Sequence, residues 1–73
     1  MTVSTELRER AREVKALMVF AQEDGPDVDD GTWSEMWDAY REVIRQVKAG
    51  AYTEDEAMTA LEELQAWVEE ECS

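Results

Sequence analysis

The chain has 73 residues, with nineteen acidic side chains against seven basic ones, no histidine and a net charge of −12. One domain of this size buries roughly 60% of the surface its unfolded chain exposes, so the core is thin, and a single cysteine excludes an internal disulfide as a brace. So acidic a chain repels nucleic acid and anionic lipid and attracts basic proteins, and its longest unbroken apolar run, Ala16 to Ala21, is far too short to cross a bilayer.

Taken in chain order, Leu7, Ala11, Val14, Leu17, Met18 and Ala21 recur at helical spacing and predict a first helix over about 5–22, with Ser4 or Thr5 as its N-cap. Val19 and Phe20 project away from that stripe, leaving the last turn apolar nearly all round. Either the following loop folds over them or another chain covers them. Residues 23–31, EDGPDVDDG, hold the only proline and two of the three glycines and predict an acidic loop. Asp27, Asp29, Glu35 and Asp38 match positions 1, 3, 9 and 12 of a calcium loop, but Gly31 stands where an oxygen ligand is required and Thr32 where the turn requires glycine. No metal is therefore expected.

Trp33, Met36, Trp37, Tyr40, Val43, Ile44 and Val47 share one face and predict a second helix over about 33–48, with Thr32 and Glu35 as a capping box and Gly50 at its end. Thr53 and Glu56 repeat the capping signature before Ala57, Leu61, Leu64 and Val68, with Met58 beside them, which predicts a third helix over about 54–70. The short connection from Lys48 to Tyr52 makes helices two and three an antiparallel hairpin. The expected fold is all-α: a three-helix bundle of that hairpin plus helix one, or a hairpin with helix one exchanged in a homodimer.

Charge is segregated along the sequence, at +1 over residues 1–22, −7 over 23–38, +2 over 39–52 and −8 over 53–73. Helix three carries two acidic rows, Asp55, Glu62, Glu69 and Glu56, Glu63, Glu70, each stepping about 10 Å per seven residues. A single-sign face forgoes i to i+4 ion pairs, and Glu69, Glu70 and Glu71 crowd the helix end where the macrodipole is already negative. These breaks of local rules point to a binding surface formed by the two rows and by Asp24, Asp27, Asp29 and Asp30. The simpler reading is a solvated acidic face, neutralised in part by Arg8, Arg12, Lys15, Arg41, Arg45 and Lys48.

Without histidine, and with its one cysteine at position 72, the chain lacks the usual proton shuttles and nucleophiles. It carries no phosphate-cradling glycine motif or zinc spacing, so neither an enzyme nor a cofactor is expected. The lone Cys72 and the lack of a leader pattern in the first residues give a cytoplasmic expectation. Short, acidic, helical and without catalytic residues, the sequence resembles in character the DNA-mimic inhibitors that phages and other mobile elements direct against nucleic-acid-handling proteins. That resemblance implies a partner with a basic, nucleic-acid-binding surface. The competing expectation is a self-associating adaptor that dimerises through Leu17, Val19, Phe20 and Trp67.

Overall fold

The computed structural model describes residues 4–25 and 27–72. They form three helices, α1 (Thr5–Asp24), α2 (Asp30–Lys48) and α3 (Glu54–Glu71), packed as a small three-helix bundle measuring 39 × 20 × 16 Å. Both α1 and α2 pack on α3, whereas they meet each other only marginally. The bundle is complete within one chain, because α1 lies on the α3 that follows it. No helix among the described residues is long and apolar enough to cross a membrane.

Each helix begins at a side chain that answers a free backbone N–H. The Ser4 hydroxyl accepts from the Leu7 N–H at 3.1 Å. At α3 the Thr53 hydroxyl accepts from the Glu56 N–H at 3.2 Å while the Glu56 carboxylate accepts from the Thr53 N–H at 3.1 Å, the reciprocal box that the sequence predicts.

The start of α2 corrects the sequence reading. Its N-cap is Asp29, three residues before the expected Thr32, and the Asp29 carboxylate accepts both the Thr32 N–H at 3.2 Å and the Thr32 hydroxyl at 2.6 Å. With its hydroxyl held by Asp29, Thr32 sits in the first turn of the helix. The expected loop of residues 23–31 shrinks accordingly, since Glu23 and Asp24 belong to α1 and Asp30 to α2.

Two glycines meet specific demands. Gly50, at φ 77°, turns the chain out of α2 in the left-handed region that side chains avoid. Gly25 donates its N–H to the Ala21 carbonyl at 2.9 Å, and a Cβ there would stand 2.4 Å from that oxygen.

The core is built around one line on α3, Ala57, Leu61, Leu64 and Val68. Leu7, Val14, Met18 and Ala21 meet it from α1, and Trp33, Met36 and Val43 from α2. Trp37, Tyr40 and Val47 close its margin, with Trp37 and Tyr40 in an edge-to-face contact at 5.9 Å. Ile44, placed on the same face by its spacing, is half-buried.

Helix directions follow from the cross-helix bonds. The Ser4 hydroxyl donates to the Glu54 carboxylate, and the Arg10 guanidinium donates to the Gln65 amide oxygen at 3.2 Å, so α1 and α3 run parallel with their N-termini at one end. The Trp37 indole N–H donates to the Gln22 amide oxygen at 3.0 Å and ties the far end of α1 to the early turns of the antiparallel α2.

Leu61 is wholly enclosed at the centre of this arrangement. Leu61→Ala should cost about 2–5 kcal/mol, a large share of the stability of so small a bundle. Urea denaturation followed by circular dichroism should show a markedly lower midpoint, whereas the exposed Thr59→Ala should stay within about 0.5 kcal/mol of wild type.

Candidate protein-binding surface

The apolar line of α3 faces inward to two helices, so the polar residues of α3 are left on the outside. Asp55, Glu56, Glu62, Glu63, Glu69 and Glu70 are all exposed. Their two rows straddle Thr59 and Ala66, also exposed, along the outer side of the helix. Beside the second row, Tyr52, Asp55, Glu56, Thr59, Ala60 and Glu63 line a shallow groove of about 400 Å³.

Among the described residues, Asp55, Glu56, Glu62, Glu63 and Glu69 form no ion pair with the cations of α1 or α2. The described residues include the ion pairs Arg10 with Glu13 at 3.9 Å, Arg41 with Asp38 at 3.3 Å, and Arg45 with Glu42, each within a single helix. The Arg10 guanidinium crosses to α3 and meets the neutral Gln65 amide. Gln65 in turn donates to the Glu69 carboxylate at 3.2 Å, leaving its charge in place.

Six carboxylates over the sixteen residues from Asp55 to Glu70 amount to about one charge per 4 Å of helix axis. A single strand of duplex DNA carries one per about 3.4 Å, so the linear charge density of α3 is close to that of one nucleic-acid strand.

The parallel course of α1 and α3 adds a feature that the sequence order conceals. It brings the C-terminal ends of both helices to the end where α2 begins. Dividing each helix at its midpoint, that half of the bundle and its connection hold eleven acids, Glu23, Asp24, Asp27, Asp29, Asp30, Glu35, Asp38, Glu63, Glu69, Glu70 and Glu71, against Lys15 alone. The opposite half holds the remaining eight acids and six cations, so the net charge of −12 divides as −10 and −2. Neither α1 nor α3 has a basic residue in its last turn, so the negative ends of two macrodipoles meet at this pole against the one positive end of α2. Glu23 and Glu71 thereby join the surface. The sequence signal that could have placed them is the pair of short connections, which forces α1 and α3 to point the same way.

The four acids expected in a loop cluster divide among three settings: Asp24 in the last turn of α1, Asp27 in the connection, Asp29 at the N-cap and Asp30 in the first turn of α2. All four are exposed. Glu35 and Asp38 lie inside α2 and Asp29 is engaged in capping, which is not the geometry of a calcium loop. Of the residues assigned to self-association, Leu17 and Trp67 are half-buried against the core, while Val19 and Phe20 face solvent at 39% and 64% exposure. The described residues of the connection after α1 leave them exposed.

Compared with protein-family models, curated proteins and solved structures, the chain shows no significant match, so its own geometry carries the functional argument.

Two electrostatic consequences are measurable. Like-charge repulsion at the acidic end opposes folding and is screened by salt, so the melting temperature should rise between low ionic strength and ~0.5 M sodium chloride. A fall over that range would show that attractive pairs dominate instead. The Thr32 hydroxyl, and after it the Thr32 N–H, hold the Asp29 carboxyl below its ordinary 3.8. A carboxyl lowered in the folded state stabilises above the unfolded value and loses that contribution as pH falls through the folded one. The difference in melting temperature between wild type and Asp29→Asn should therefore shrink as pH drops below 3.8.

Proposed function

We propose that this chain is a small protein-binding module that inhibits or regulates a partner by occupying its basic, nucleic-acid-binding surface. The observation that supports the reading best is the outer face of α3, where the exposed carboxylates of Asp55, Glu56, Glu62, Glu63 and Glu69 meet no lysine or arginine of α1 or α2 among the described residues. A cationic groove that releases counterions on binding phosphates releases them equally to a carboxylate row of similar charge density. Complementary charge also speeds the encounter with such a groove and selects against acidic competitors.

The chemistry is recognition rather than catalysis. The shifted titratable groups are Asp29, lowered by its capping bonds, and Tyr40, raised by burial at the core margin, and neither is placed as an acid–base pair in a cleft. The lone thiol, Cys72, is half-buried beside the core and fits action in a reducing cytoplasm.

The test is affinity capture from the lysate of the native host at low salt, eluted on a salt gradient. A basic nucleic-acid-binding protein should be recovered and should elute early. The combined variant Asp55→Asn, Glu62→Gln, Glu63→Gln, Glu69→Gln should retain its helical spectrum and bind that partner at least tenfold more weakly, with a shallower dependence of affinity on salt. A complex that forms unchanged at high salt, or that tolerates the four substitutions, would overturn the proposal.

A further inference from the structure

The acidic half of the bundle carries one large exposed apolar group. Phe20 is 64% exposed, and Val19 beside it is 39% exposed. With Ala16, also exposed, they stand at i, i+3 and i+4 on the outer side of α1, away from the Leu7, Val14, Met18 and Ala21 stripe. The next turn presents Glu23 and Asp24 at the same spacing from Phe20, at the bundle end that also holds Glu69 and Glu71. An exposed aromatic with carboxylates on the next turn has the anatomy of an interface anchor with a polar rim.

Two observations decide what covers it. Phe20 and Val19 together offer on the order of 200 Å², well short of the ~800 Å² per partner of a stable interface, so this patch alone does not hold two copies together. A second copy would also bring up its own bundle half of −10. Charge complementarity selects a cationic partner instead. Grooves that bind single-stranded nucleic acid combine backbone-tracking cations with aromatic or apolar platforms on which bases stack. The α3 rows have nearly the charge spacing of one strand, and Phe20 supplies a flat ring on the acidic half of the bundle.

Resting on the function proposed above, we infer that Phe20 is the apolar anchor of the acidic interface and that the partner is a protein whose cationic groove contains an apolar stacking platform, the kind that takes single-stranded nucleic acid.

Two fluorescein-labelled peptides of equal length and equal positive charge test this by anisotropy, one interleaving lysine with tryptophan and the other lysine with serine. Wild type should bind the lysine–tryptophan peptide on the order of tenfold more tightly. Phe20→Ser should abolish that preference while keeping the lysine–serine affinity and the helical spectrum. The fourfold α3 variant should weaken both peptides and keep the preference. Equal binding of the two peptides by wild type, or a preference that survives Phe20→Ser, overturns the anchor and leaves the acidic surface standing. Failure of wild type to bind either peptide at low salt overturns the acidic surface itself, and with it the anchor. Sedimentation showing a wild-type dimer that Phe20→Ser converts to monomer assigns the ring to a second copy and overturns the inference.

Discussion

A single apolar seam on α3 holds the molecule together. Ala57, Leu61, Leu64 and Val68 supply the surface on which both α1 and α2 pack, because those two helices scarcely touch each other. Hydrophobic burial is non-directional, but a helix with one narrow stripe can serve two neighbours only if they flank that stripe. The outside of α3 is then the one place left for its acids. The helix most essential to the core is also the one that presents a uniformly charged face.

Several of the cations are engaged away from the α3 rows. Arg41 and Arg45 lie on the exposed side of α2 and pair with Asp38 and Glu42 of their own helix, three residues away in each case. Exposed pairs of this kind contribute little stability, and they divert charge that would otherwise be available to α3. On α1, Arg10 reaches across only as far as Gln65. The repulsion left at the acidic end is tolerated by the folded chain and would be relieved by a cationic partner, so binding and stability are linked through the same charges.

Most of the local structure was legible in the residues. Helical spacing located all three helices, and the Thr53 and Glu56 box placed the start of α3 correctly because no competing cap precedes it. At α2 two cap signals overlap, Asp29 with Thr32 and Thr32 with Glu35. Aspartate accepts two bonds from Thr32 at once and wins, carrying Asp30 and Gly31 into the helix despite the poor helix propensity of glycine. The error lay in reading a local competition by the more familiar pattern.

The sequence alone determined that the chain forms three amphipathic helices, which residues make their apolar stripes, and that acids crowd α3 with no base among them, because these depend on periodicity within one segment. Only the tertiary structure decided which charges share a surface and which apolar side chains stay wet. The parallel course of α1 and α3 gathers acids from Glu23 to Glu71 at one end, and Phe20 is left exposed on the side of α1 away from its packed stripe. Both are relations between segments distant in sequence, fixed by how three stripes share one seam rather than by any residue's neighbours along the chain.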